Sequence, residues 1–509
     1  MEKRKRAIQQ RAHPCVMWFR RDLRLDDNPA LLAAEQYSKG RVIPVFCINP
    51  DEYGQNILGW PKVGAYRARF LMQALVDLRS KLKRIGSDLV ILRGRPEDVL
   101  VEFADKHGAT RIFSQDVQSF EEHQVVKQVQ DQCVRDAIEY KEVEGSTLYH
   151  SDKLPFELEE LPTNFIRFRR NLERESIPNA PELAIKKLLP LPLGISVGSI
   201  PKMADFNSSE YQTDPRTILP FKGGEAHGLK RVKEYIWDQR LLGYYHRAHV
   251  AFAGEQTSSK LSAWINLGCL SPRRLWYEAL AFENKHGDSL GVYQLIYHLT
   301  MRDFFIFNSR KYGQAFYEQP GIRRQIPKAE ENQNLFMMWW QGYTGFPLID
   351  AFMRELASTG YLSIQGRKVV ANFLVNELKL PWTWGAACFQ TLLRDYHPAV
   401  TYGSFQSLTG FGLKLPGRVE HHVDLGQRLD RDGAYVRYWL PELSYLPSEC
   451  VYEPYLLNEE AQAYYGLTLN QHYPYPIIEP PARPEPVVNR DYQQILQERK
   501  RRAQQQAKG

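Results

Sequence analysis

Strand signals fill the first 145 residues and almost vanish after Gly223, and this break constrains the fold more than any other feature. Residues 15–19, 41–48, 88–92, 110–114 and 138–143 are short apolar or β-branched runs. Such runs are expected of strands buried on both faces. Residues 28–38, 64–85, 96–107 and 121–137, lying between them, carry helical periodicity. The alternation predicts a doubly wound α/β domain with a parallel sheet, its ligand site beyond the carboxyl ends of the strands. From residue 223 onward the predicted elements are helices: 225–244, 260–267, 273–284, 290–312, 334–341, 347–358, 367–377, 384–395 and 435–440. The fold class expected is α/β plus all-α.

A chain of 509 residues exceeds what one core supports. The division expected is an α/β domain over 12–145, a Pro- and Leu-rich connector over 146–215, a helical domain over 216–445 and an irregular tail over 446–509. The charged tails at 1–11 and 498–509 together carry +8 of a formal net charge of +7, so the body between them is close to −1. Overall basicity therefore gives no argument for a nucleic-acid groove in the folded body. No apolar run reaches the roughly 18 residues that a membrane span needs, and the charged start lacks the apolar stretch of a secretory signal. The six cysteines are scattered without a CxxC spacing. They read as reduced thiols, which predicts a cytoplasmic or other reducing compartment. A monomer is expected. His421-His422 is a lone pair, read as a turn and not as a metal site.

Two stretches carry chemistry. In 257–273, Thr257, Ser258 and Ser259 precede an apolar helical run that Gly268 and Ser271-Pro272 close. Small hydroxyls at a helix start cap free N–H groups, and that end attracts anions. The stretch reads either as an ordinary capped helix or as a diphosphate site. In 19–29, Arg20, Arg21, Asp22, Arg24, Asp26 and Asp27 crowd a strand end, as loop solvation or as an ion-pair cluster joining domains.

At this point the residues resemble the photolyase/cryptochrome family. The resemblance is carried by Trp18-Phe19-Arg20-Arg21-Asp22-Leu23-Arg24-Leu25-Asp26-Asp27-Asn28, by the 257–273 stretch, by Gly345-Phe346-Pro347-Leu348-Ile349-Asp350-Ala351-Phe352-Met353-Arg354-Glu355-Leu356 and by Tyr435-Val436-Arg437-Tyr438-Trp439-Leu440-Pro441-Glu442-Leu443. These signatures occur in the family's order over about residues 15–475, with wording most like the DASH-type cryptochromes. The resemblance implies an FAD-binding helical domain. On it, Tyr245, Ser258, Ser259, Leu261 and Ser262 match the phosphate cradle, Arg302 the flavin-side arginine, and Arg367 with Asp395 an ion pair packed over the flavin ring. Asp116 aligns with an acidic contact to a folate-type antenna.

Several matches to the family's ring and substrate side are replaced. The lesion-contacting Glu and Trp fall on His298 and Met301. An asparagine near the flavin and a substrate-contacting arginine fall on Ile364 and Gln365. A second acidic residue at the flavin's polar edge becomes His397, the asparagine facing N5 becomes Thr401, and the innermost relay tryptophan becomes Phe405. Trp382 matches the middle relay tryptophan, and the outer one falls near Lys328-Ala329. The family's Phe-Arg-x-Phe-Asn-Pro turn is replaced by residues 418–424. Phenylalanine is far harder to oxidise than tryptophan, so Trp382 is expected to serve as core packing. The expected function is an FAD-binding blue-light photoreceptor or a protein that interacts with DNA or RNA, with weakened or absent dimer repair. The alternatives are a photolyase of altered substrate, such as single-stranded DNA, and a flavin-free interaction module. No catalytic residue and no metal ligand is assigned.

Overall fold

The computed structural model describes residues 13–480 apart from 288, 326–328, 411 and 418. Both basic tails and the outer relay position at Lys328 lie outside the described residues.

Five parallel strands form one sheet: β1 (Cys15–Phe19), β2 (Val42–Ile48), β3 (Val90–Arg93), β4 (Arg111–Gln115) and β5 (Glu139–Val143), in the order β3-β2-β1-β4-β5. Val16 pairs with Ile43 on one side and Ile112 on the other, which sets the central register. Alternation decides the faces. Cys15, Met17 and Phe19 point into one core and Val16 and Trp18 into another. Helices α1 (Pro29–Ser38), α2 (Ala65–Arg84), α3 (Pro96–Lys106) and α4 (Phe120–Arg135) connect the strands. Asn28 caps α1 by accepting the Leu31 N–H, and Pro29 fills the first position, where its missing N–H costs nothing.

The connector expected over 146–215 contains a regular helix, α5 (Phe165–Glu175), capped by Asn164. Its Phe165, Phe168 and Leu172 recur at helical spacing and are fully buried. Four arginines among its eleven residues masked that period in the sequence. Beyond it come α6 (Glu225–Val232), α7 (Tyr245–Ala248), α8 (Ser262–Asn266), α9 (Pro272–His286) and α10 (Ser289–Tyr312). The helical part continues with α11 (Gln333–Gln341), α12 (Pro347–Thr359), α13 (Ile364–Asn372), α14 (Trp382–Leu392), α15 (Pro398–Leu408), α16 (His422–Leu429) and α17 (Ala434–Trp439), then α18 (Glu459–Tyr464). The 225–244 reading overran α6, which passes into a π-helical turn at Lys233–Asp238. α15 and α16 were not read from the sequence.

One core runs without a break from the sheet into the helical part. Phe70 of α2 meets Trp264 of α8 at 5.7 Å between ring centroids. A second core gathers α11–α17 with Val451, Tyr452, Leu467, Leu469 and Tyr473. The stretch from 446, expected to be irregular, has little regular structure but packs on this core through at least Tyr473, whose hydroxyl bonds the buried Asp350 carboxylate at 2.5 Å.

Candidate functional site

The β1 loop settles the open reading of residues 19–29, because it joins the two parts of the chain. Arg24 donates to the Gly268 carbonyl at 3.0 Å. The Leu25 and Asp26 N–H groups both donate to Glu225 at 3.0 Å. Arg274 grips Asp26 through two bonds, and Arg273 grips Asp27 through two more. Asp27 is 0 % exposed, and Ser271, the cap of α9, also bonds it. Gly268 makes this approach possible. It sits at φ +71°, and a Cβ there would lie 1.8 Å from the Arg21 carbonyl oxygen.

The other end of the 257–273 stretch is not a capped helix. α8 is five residues long, Leu261 occupies its cap position, and no side chain caps it. Lys260 at φ +56° breaks the run before it, so the hydroxyls of Thr257 and Ser258 turn to the Lys260 ammonium, at 3.4 and 3.3 Å. Ser259 lies beside Tyr245, whose hydroxyl bonds His298 at 2.8 Å, and Ser258 lies beside Tyr361. Tyr361 joins the two halves of the site. Lys260 Nζ lies 5.8 Å from its ring and the Arg367 guanidinium 5.6 Å. Arg231 fixes the loop by donating to the Ser259 and Glu255 carbonyls at 3.1 and 2.9 Å. Leu261 packs in the first core and Ser262 opens α8.

Past Tyr361, Arg367 holds both Asp395 carboxylate oxygens, at 2.9 and 2.8 Å. Asn266 donates to the Asp395 carbonyl at 2.7 Å and accepts from Arg302 at 3.3 Å. Arg302 spends its other donors on the Ser146 carbonyl (2.8 Å) and Gln118 (3.2 Å), both in the α/β part. His397 also bonds Gln118. Burial lowers Arg302 to about 10, so it stays charged at neutral pH, and raises its neighbour Asp303 to about 7. His397 is held neutral, first by burial and then by Arg302 and Arg21. Of the eight residues expected at the site, Arg302, Asp395, Arg367 and Ser258 are linked through Asn266, Tyr361 and Lys260. Ser259 is held by Arg231 and Tyr245 by His298, while Leu261 and Ser262 adjoin them only along the chain. Asn266, Gln118, Tyr361, Arg231 and Lys260 were missed. Asn266 alone left a signal, as a polar residue inside an apolar helical run.

His298 is half-buried beside Tyr245, Gln294 and Tyr297. With the Gln294 amide nitrogen donating to Nε2 (3.1 Å), the ring proton sits on Nδ1 and points at the Tyr245 oxygen, 2.8 Å away. Burial, then His249 and Lys368, lower it to about 3.

The family described as DNA photolyase matches residues 15–185, and the one described as the FAD binding domain of DNA photolyase matches 295–491. A cryptochrome DASH of Gloeobacter violaceus is 37 % identical over 465 residues, covering 91 % of this chain and 93 % of that one. The chain belongs to the photolyase/cryptochrome family. A cryptochrome DASH of Xenopus laevis is 34 % identical, covering 92 % of this chain and 90 % of its own. The crystal structure of a Synechocystis cryptochrome superposes with a TM-score of 0.88 at 34 % identity, covering 92 % of this chain and 96 % of that one. An archaeal photolyase from Sulfolobus tokodaii, crystallised with two FAD molecules, superposes at 0.73 with 26 % identity, over 92 % of this chain and 96 % of that one.

As a photolyase/cryptochrome, the chain carries the FAD binding domain, and the cradle residues fit the cofactor's diphosphate. Two buried cations, Arg231 and Lys260, stand beside the Ser259 carbonyl, the Thr257 and Ser258 hydroxyls and the Tyr361 ring. Among the described residues no carboxylate lies within 4 Å of Lys260, and the partner of Arg231, Glu255, is half exposed. Such a cluster favours an anion. An antenna of folate type finds no acceptor in Asp116. One oxygen takes the Gly145 and Ser146 N–H groups (2.8 and 3.1 Å), the other the Ser146 hydroxyl (2.6 Å) and Arg310. All four lone-pair directions of the carboxylate are used. Trp382 is buried, bonded to the Gln319 carbonyl at 3.0 Å and edge-on to Tyr402, and Phe405 packs on Phe389. Among the described residues no cluster of metal-ligating side chains and no helix long and apolar enough to cross a membrane occurs.

Proposed function

We propose that this chain binds FAD as a blue-light-responsive protein that interacts with nucleic acid and cleaves pyrimidine dimers weakly or not at all. FAD, when bound, supplies blue-light absorption and one-electron chemistry. Tyr245, Ser258, Ser259, Leu261 and Ser262 hold its diphosphate, and Arg367 with Asp395 flanks its ring. Arg302 supports that ring side through Asn266. The observation that carries the repair-poor reading is His298. Both its ring nitrogens are used inside the protein, by Tyr245 and Gln294, and it stays neutral. A carboxylate that could hydrogen-bond a lesion and stabilise its charge is therefore missing at that position, and Met301 offers no broad face for a flipped base. The six free cysteines, five of them buried, suit a reducing compartment such as the cytoplasm.

The native protein is expected to show a flavin band in its visible spectrum. Illumination of the reduced protein with a dimer-containing oligonucleotide is expected to restore few bases. A colourless protein that takes up no flavin sinks the reading in favour of an interaction module.

A second reading, light-driven repair of an altered substrate such as single-stranded DNA, is favoured by the rim beside His298. The Arg169 guanidinium lies 5.4 Å from the Tyr297 ring and 5.8 Å from that of Tyr293, and Tyr297 meets His298 at 5.8 Å. Cation and aromatic rings together suit single strands. Restoration of single-stranded but not duplex substrate under light would select it.

A further inference from the structure

Tyr235 is 0 % exposed, and its hydroxyl has no hydrogen-bond partner among the described residues. Natural structures seldom leave such a group unsatisfied, because the lost hydration is not repaid. The residue lies in the π-helical turn at Lys233–Asp238 that continues α6, and turns of this kind concentrate at functional sites. Its ring stands edge-on to Tyr245, with centroids 6.3 Å apart, and the Arg231 guanidinium lies 5.3 Å over it. Tyr235 thus packs directly against two members of the cradle, Tyr245 and Arg231.

Lys260 is the second anomaly. A non-glycine residue at φ +56° is held in a costly conformation, and this one is 4 % exposed with its charge inside the protein. The ammonium carries three N–H donors. Two go to the Thr257 and Ser258 hydroxyls through long bonds, and no carboxylate neutralises it within 4 Å among the described residues. The family resemblance assigned neither residue a contact.

We propose that Tyr235 and Lys260 are ligand-binding residues, which donate their unused O–H and N–H to the diphosphate held by Tyr245 and the serines. The assignment rests on reading the cradle as a diphosphate site. It adds two donors to that site, one of them cationic, and it gives both buried anomalies the same acceptor. A ligand lacking the diphosphate gains nothing from them.

The test is calorimetric titration of the full-length protein with FAD, ADP and riboflavin, for wild type, Tyr235→Phe and Lys260→Met. Loss of one hydrogen bond to a charged group is expected to weaken FAD and ADP about tenfold in Tyr235→Phe, and loss of a buried cation about a hundredfold in Lys260→Met. Riboflavin binding should not change. The ligand-free Tm of Tyr235→Phe should equal or exceed that of wild type, because an unsatisfied hydroxyl has been removed. Unchanged ADP and FAD affinities in both variants overturn the assignment while leaving the flavin reading intact, and so does a lower ligand-free Tm in Tyr235→Phe. A wild type that binds ADP but neither FAD nor riboflavin, with the expected losses in the variants, supports the assignment and ends the flavin reading. A wild type that binds neither ADP nor FAD overturns both.

Discussion

His298 shows how one side chain sets the behaviour of a site. Its folded pKa of about 3 lies below the ordinary value of 6.5 because burial disfavours the imidazolium. As pH falls below 6.5 the unfolded chain takes up a proton that the folded chain refuses until about pH 3. Stability is therefore lost across that window and is unaffected above it. His298→Gln removes the proton and should reduce the dependence of urea midpoint on pH between 6.5 and 4, leaving the part that His397, depressed by the same cause, contributes. Gly268 tests steric necessity instead. Gly268→Ala puts a methyl group 1.8 Å from the Arg21 carbonyl oxygen, and the thermal unfolding midpoint should fall by an amount equivalent to about 3 kcal/mol or more. At this scale the phosphate half of the site was legible, because hydroxyls in a row are a chemical pattern. Gln118 and Tyr361 were not, since a lone Gln in a loop and a lone Tyr after Gly360 have no pattern to betray them.

At the scale of elements, strands were the easiest to read and helix ends the hardest. Val16, Ile43, Val45 and Ile112 are apolar because helices cover both faces of the sheet, so β1, β2 and β4 announced themselves as runs. α15 was missed because Thr401, Gly403, Ser404 and Ser407 dilute its apolar period, yet its Gly403 admits the Phe305 ring, which a Cβ would meet at 2.3 Å. α8 misled in the other direction. It looks like the start of a capped helix, but the Thr257 and Ser258 hydroxyls before it are turned to Lys260. α9 keeps a true cap, and Ser271→Ala should cost about 1–2 kcal/mol in denaturant unfolding, since it removes bonds to the Arg273 and Arg274 N–H groups and to Asp27.

Across the whole molecule, the ion pairs of residues 19–29 and 268–274 bind the sheet to the helices. Arg273→Ala strands the Asp27 carboxylate in a fully buried position and should cost about 3–5 kcal/mol. Replacing both partners, Asp27→Leu with Arg273→Met, should recover much of that loss, as chemical denaturation of the three proteins would show. If the double variant is as unstable as the single one, the pair is indispensable and the desolvation argument fails here. Binding should respond to pH through Lys260, lowered by burial to about 8, and Glu355, raised by burial to about 8, with Arg231, Glu255, Tyr361 and Tyr435 around them. Whichever of the two loses its proton first, the cradle becomes less positive as pH rises through 8. ADP affinity should therefore fall between pH 7 and 9.

On the function proposed above, the stretch from Thr257 to Arg274 serves two masters, anion contacts at one end and the seam between sheet and helices at the other, with five helical residues between them. A lineage that abandoned its cofactor would still be forbidden to alter the seam, and the intervening backbone would drag the serines along with it. Persistence of this signature in a genome is thus a record of folding as much as of chemistry. Surveys that infer flavin from it should look instead at Tyr235, whose hydroxyl, on the assignment made above, has no reason to survive once the ligand is gone.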